Sequence, residues 1–178
     1  MAQEPTVIEV QVEKVGQLFD TLDPMPFRER DLDRQAEDYI VGWARELPRK
    51  SPMRIRIHIP RSEASSEHVK DLGQAVGRYF NYRADILSGE LSELFRVGRY
   101  ALLVGLVVLT LCVTGGRLAL QTLPAGQFGV AINEGLIILG WVANWRPIEI
   151  FLYDWWPIVR HRNLLLRLAR ADIAISWR

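Results

Sequence analysis

Four polar residues lie in or beside a strongly apolar stretch of the C-terminal half: Glu134, Asn144, Arg146 and Glu149. A charged side chain at bilayer depth is costly, so such a set marks either a polar path or residues at the two membrane interfaces, solvated by headgroups. The interfacial reading is the expectation, with a lumen lining or ion relay as its competitor. Asn133 and Asn144 border the same segment and are suited to hydrogen bonds between helices. Ala101 and Gly105 form a small-xxx-small pair that lets another helix approach closely.

The other reactive residue types are scattered. His58 falls on a strand's polar face, His68 in a first helical turn and His161 in a basic tail, with no spacing of a metal pair. No Ser/His/Asp or Cys/His set emerges from their order. The lone cysteine, Cys112, sits inside an apolar run as a small buried residue, with no disulfide framework or CxxC pair. Gly115-Gly116 is read as a helix end, not a phosphate loop. Neither catalysis, a cofactor nor a metal is expected. A net charge of +1 gives no basic patch for nucleic acid.

Two elements bracket the first part of the chain. Thr6 to Glu13 alternates, with Ile8, Val10 and Val12 on one face and Glu9, Gln11 and Glu13 on the other. Met53 to Ile59 does the same, with Arg54, Arg56 and His58 outward. If these strands are neighbours, acidic and basic side chains meet across the ladder. Between them Leu32, Ala36, Tyr39, Ile40, Trp43 and Leu47 recur at helical spacing from a start near Asp31, and Pro48 closes the element. Strand, helix, strand permits a parallel pair. Two strands leave both edges open, so further strands are expected from another copy of the chain, the alternative being that Pro60 and the following helix cover the edge.

From an N-cap at Ser65 or Ser66 a helical pattern runs through Val69, Leu72, Val76, Phe80 and Leu87 without a proline until Pro124, with Ser88-Gly89 the expected place to bend. It leads into the uncharged run Tyr100 to Gly116, flanked by Arg99 and Arg117, long enough for a span. A second span is expected near Phe128 to Pro147. Arg78, Arg83, Arg96 and Arg99 precede the first span and Arg160, Arg162, Arg167 and Arg170 follow the second, while the loop between offers only Arg117. That bias puts both ends in the cytoplasm. The opening Met1 to Thr6 has no apolar signal core, consistent with a cytosolic N-terminal domain. Past Pro147, Ile148, Phe151, Leu152, Trp155 and Val159 share one face, as in a helix lying in the interface. A second span reaching Tyr153, with Arg146 and Glu149 as an internal ion pair, is the costlier alternative.

The expected fold is therefore an α+β membrane protein. A cytosolic βαβα domain leads by a long helix into a two-helix transmembrane hairpin, followed by an interfacial, basic C-terminal helix. The boundaries are 1–64 for the strand-helix-strand domain, 65–99 for the leading helix, 100–117 for the first span, 118–127 for an extracytoplasmic loop, 128–147 for the second span and 148–178 for the interfacial segment and tail. Leu164, Leu165, Leu168 and Ile173 among the tail's arginines suit either anionic lipid or the cytosolic domain. Partners are the lipid bilayer, other copies of the chain and other membrane subunits. A self-associating, membrane-anchored scaffold is the function this architecture suggests. An oligomeric pore or transport subunit, and an accessory subunit of a larger membrane complex, are the alternatives.

Overall fold

The strand Met53–Ile59 buries every second residue, so it sits where both its flanks are occupied. In the computed structural model, which describes residues 6–48, 51–63, 67–123 and 126–178, this strand (β2) is the centre of a three-stranded, wholly parallel sheet, order β1-β2-β3. β1 is Thr6–Gln11, two residues shorter than its alternation suggests. Glu9 stands opposite Arg56, and the expected charge pairing forms: Arg56 Nη1 lies 3.1 Å from Glu9 Oε1. β3, Asp172–Trp177, comes from the C-terminus.

β3 corrects two expectations. The strand missing from a two-stranded sheet is supplied by the same chain, and the last residues are an edge strand instead of a basic amphipathic tail. The basic stretch suggests that Ile173 sides with Leu164, Leu165 and Leu168. Ile173 belongs instead with Ile175 and Trp177 at a period of two, and six residues are too few for that period to dominate the basic stretch before them.

The chain divides into two compact units, residues 1–88 with 160–178, and residues 89–159. In the first unit, helix α1 (Arg34–Glu46) follows β1. It begins after the Asp31 expected, because Asp33 is the N-cap, its carboxylate accepting from Gln35 N and Ala36 N. Leu32 lies outside the helix, bridged to Phe19. Ile40, Val41 and Ala44 of α1, Leu72, Val76 and Phe80 of helix α2 (Glu67–Thr122) and Leu165 and Leu168 of the C-terminal helix join Ile8, Ile55 and Ile57 in one core. The opposite sheet face carries Glu9, Arg54, Arg56 and Asp172 and is open, with Glu9 and Asp172 side chains 58% and 65% exposed.

α2 runs unbroken from Glu67 to Thr122. The bend expected at Ser88-Gly89 is not a break: Ser88 Oγ donates to the Ala84 carbonyl and accepts from Arg162 Nε at 2.6 Å, so its side chain is satisfied without interrupting the backbone ladder. Nor does the helix end at Gly115-Gly116. No glycine among the described residues has positive φ, and this pair continues the helix for a packing reason given below. The proposed caps at Ser65 and Ser66, and the turn at Pro124, lie outside the described residues.

In the second unit α2 is followed by α3 (Gln127–Ala143), α4 (Trp145–Glu149), a π-helical turn (Ile150–Asp154) and the start of α5 (Trp155–Ala169). Pro157 accounts for the π turn, since it lacks the N–H that the Tyr153 carbonyl would receive in an α-helix. The Trp155 indole N–H donates to the Phe151 carbonyl at 2.9 Å within the same stretch. Two helical runs are long and apolar enough to cross a membrane, one within α2 and one within Gln127–Ala169.

Candidate functional site

The hairpin is held by a seam of small residues. Gly98, Gly105 and Cys112 recur at sevens on α2, which keeps them on one side of the helix. A Cβ on Gly98 would fall 2.8 Å from Ile150 Cγ2, one on Gly105 2.7 Å from Asn144 Oδ1, and one on Gly116 2.5 Å from Asn133 Oδ1. From the returning side, a Cβ on Gly140 would meet Leu109 Cδ1 at 2.8 Å and Cys112 Cβ at 3.3 Å. The step from Gly105 to Gly116 is matched by the step from Asn144 back to Asn133, so two antiparallel helices pack in register, each asparagine against a glycine. This is why Gly116 is a packing residue and not a helix end.

Asn144 is the polar centre of the seam. It is 6% exposed, and its Nδ2 donates to the carbonyls of Gly105, 3.0 Å away on α2, and Gly140, 2.9 Å away one turn back. Both donor protons are thereby used, which a buried amide requires. Gly105 meets Asn144, while Ala101, one turn earlier, is half-buried. Glu134 is exposed on α3.

Arg146 and Glu149 are brought together, Nη1 to Oε2 at 3.2 Å, and Arg146 also reaches Asp154 Oδ2 at 3.1 Å. Trp145 Nε1 donates to the other Glu149 oxygen at 3.0 Å. Sequence spacing conceals Asp154. Eight residues along an uninterrupted α-helix would set it about 80° around the axis from Arg146, and the wider π turn under-rotates the chain and returns it to the same side. The cluster holds one cation and two carboxylates, with the arginine side chain 60% exposed.

The first unit has its own polar features. A groove of about 540 Å³ is lined by Phe27, Arg28, His68, Asp71 and Arg78, among others. Its charges are spent on one another. Arg28 grips Asp71 through Nε–Oδ2 at 2.9 Å and Nη2–Oδ1 at 3.0 Å, Arg78 pairs with Glu29 at 3.2 Å, and the His68 ring stacks on Phe27 with centroids 4.3 Å apart. The hydrogen bond from Arg28 holds the Asp71 carboxyl below the ordinary carboxylate range. Deeper, the Tyr79 hydroxyl donates to Glu37 Oε2 at 2.8 Å and Arg83 Nε donates to Oε1 at 3.1 Å. Burial, then Glu37's acceptance of that hydrogen bond, pushes the Tyr79 phenol well above its usual value. These contacts tie α1 to α2.

His58 is on the open sheet face, 3.9 Å from Glu9 Oε2, and His161 contacts Arg45 at 3.3 Å. Among the described residues no group of three or more His, Cys, Asp or Glu is placed to hold a metal ion. Gly98, Gly140, Asp154 and the strand β3 were missed by sequence reasoning. The sevens of Gly98, Gly105 and Cys112 were a usable signal for Gly98, whereas nothing in the spacing pointed to Gly140 or Asp154. No protein-family model, no curated protein and no solved structure matches this chain.

Proposed function

We propose that this chain is a membrane-anchored, self-associating structural protein: a small parallel-sheet domain on the cytoplasmic side, tethered by a two-span hairpin and joined to other copies. The observation that carries the reading is the sheet. Parallel sheets are as a rule covered on both faces, yet among the described residues this one has helices on a single face and an open, charge-balanced face of Glu9, Arg54, Arg56 and Asp172 on the other. A further surface is needed to complete it.

Anchoring is supported by the second unit. Leu103, Leu111, Ile138 and Trp141 are 61–65% exposed there, expensive in water and at home in lipid. The chain leaves the first unit after Ser88 and rejoins it at Arg160. If that unit folds in water, both flanks of the hairpin lie on one side and the number of crossings is even. The arginine bias assigns the cytoplasmic side. Mass photometry of the full chain in mild detergent, over a range of concentrations, is expected to give a multiple of the 20.4 kDa chain mass. A monomer throughout would sink the reading.

A second reading, an oligomeric ion-conducting pore, is favoured by one observation: Glu134 is an exposed carboxylate in the middle of an otherwise uncharged α3. It predicts conductance in reconstituted bilayers that Glu134→Gln and Arg146→Gln alter. No current, or current indifferent to both changes, removes it.

A further inference from the structure

The two edges of the sheet are treated differently by the fold. Along β1, Thr6 N donates to the Pro52 carbonyl and Val12 N to the His58 carbonyl, both at 3.1 Å. Alternate residues of a strand turn their backbone groups to opposite sides, so Val7, Glu9 and Gln11 face outward. That edge is guarded, since the Glu9 carbonyl accepts from the Tyr39 hydroxyl at 3.2 Å and a carboxylate stands at its centre.

β3 has no such protection. Arg178 N donates to the Ile59 carbonyl at 3.0 Å and the Arg178 carbonyl accepts from Arg61 N at 3.2 Å, so Asp172, Ala174 and Ser176 share that inward side. Ile173, Ile175 and Trp177 therefore turn their N–H and C=O groups to the open edge, and no hydrogen bond among the described residues reaches them there. Neither charge nor proline interrupts Ile173 to Trp177, and Trp177 remains 42% exposed. Natural edges are normally blunted by such residues.

We infer that β3 pairs antiparallel with β3 of a second copy, about a two-fold axis at Ile175, fusing two three-stranded sheets into one. The inference rests on the self-association proposed above and gives it an edge contact; the open polar face of Glu9, Arg54, Arg56 and Asp172 is a separate surface, which this pairing leaves uncovered. The register follows from chemistry. With Ile175 opposite itself, Ile173 meets Trp177 and Ala174 meets Ser176, while Asp172 meets Arg178 of the second copy. All three outward-facing residues of each strand then form hydrogen-bonded pairs. The alternation places Asp172–Arg178 and Ala174–Ser176 on the polar face and Ile173–Trp177 on the core face, where the partner's isoleucine covers the exposed indole. A slip of one residue sets outward backbone groups against groups already bonded to β2. A slip of two puts Asp172 opposite Ser176 and Trp177 opposite Ala171 in one direction, or Arg178 opposite Ala174 in the other, and both lose the two Asp172–Arg178 pairs. An isologous contact of this kind closes on itself as a dimer.

The test uses the full chain in detergent, with Cys112→Ala so that no native thiol interferes. Ile175→Cys is expected to give a disulfide-linked dimer under mild oxidation. Ala174→Cys and Ser176→Cys are expected to cross-link when mixed and not separately. Arg178→Asp, whose side chain has no partner among the described residues, is expected to weaken dimerisation about tenfold by facing two carboxylates. Asp172→Arg does the same with two cations, and because Asp172 also binds Arg54 at 2.8 Å, its readout is the mixture. Equimolar Arg178→Asp and Asp172→Arg chains oppose unlike charges at both pairs and are expected to recover the wild-type dimer. A monomeric wild type overturns both the inference and the reading beneath it. A wild-type oligomer that resists Arg178→Asp and gives no Ile175→Cys cross-link overturns the inference alone and moves self-association to another surface.

Discussion

Asn144 and Gly105 form a unit that neither residue makes alone. The asparagine supplies two donors to carbonyls inside the hairpin, and the glycine supplies the space that brings one of those carbonyls within reach. Interhelical hydrogen bonds in such surroundings contribute about 1 kcal/mol. Asn144→Ala is expected to weaken the hairpin by about that amount in a denaturant titration of the detergent-solubilised protein. Gly105→Leu is expected to cost more, because its Cβ would stand 3.1 Å from the Ala143 carbonyl oxygen as well as 2.7 Å from Asn144 Oδ1, and backbone cannot rotate away. Equal effects would show that the seam is not closely packed. In the first unit, Asp71 is held below the carboxylate range by Arg28, and Asp23 by the N–H groups of Asp31 and Met25. A depressed carboxyl binds its proton less readily in the folded state than in the unfolded one. Its contribution is therefore complete above the unfolded carboxylate's pKa, about 3.9, and is lost as pH falls through that value toward the folded one. Asp71→Asn is expected to lower the unfolding temperature of the first unit at pH 7, with the gap to wild type closing on acidification. A gap that widens at low pH would reverse the sign.

At the scale of elements, the π turn between α4 and α5 rephases everything that follows it. It brings Asp154 to Arg146 across eight residues. Pro157→Ala restores the missing donor, so the stretch is expected to relax to α-helix and carry Asp154 off Arg146's side. A double-mutant cycle between Arg146→Gln and Asp154→Asn reads this out. Its coupling, a few tenths of a kcal/mol to about 1 for a pair this exposed, should vanish in the Pro157→Ala background. Persistence of the coupling would assign the π turn another cause. The Arg146–Glu149 pair, three residues apart within α4, is expected to be indifferent to that change.

For the whole molecule, the discontinuity of the first unit matters most. Its sheet closes only when the segment after the hairpin returns to place β3 beside β2. Removing residues 172–178 opens the second flank of β2, whose Ile55, Ile57 and Ile59 are 0–1% exposed. Each exposed isoleucine gives up about 1.5–3 kcal/mol of burial, against the 5–15 kcal/mol total typical of a domain. The truncated chain is expected to lose cooperative unfolding of the first unit and to be cleaved there by protease. A truncation that melts like the full chain would mean that β3 is an accessory strand.

Period-two and period-3.6 patterns are local, and so β2, the body of α1 and the two apolar stretches were legible from their own residues. The charge match of Glu9 with Arg56 was legible too, because it needs only two alternating strands. β3 was not, because six residues carry too little periodicity to compete with the helix before them, and their strand conformation depends on β2, far away in sequence. Gly115-Gly116 looked like a helix end for the same reason: a glycine's role is set by what approaches it, and Asn133 approaches from the returning helix. Asp154's pairing depends on a change of helical pitch that spacing rules do not contain. By itself the sequence determined the elements whose periodicity is local, β2, the body of α1 and the two apolar helical stretches, and the division between a polar and an apolar half. Only the tertiary structure decided which residues far apart in the chain complete a sheet, a seam or an ion cluster, since those are properties of contacts and not of composition.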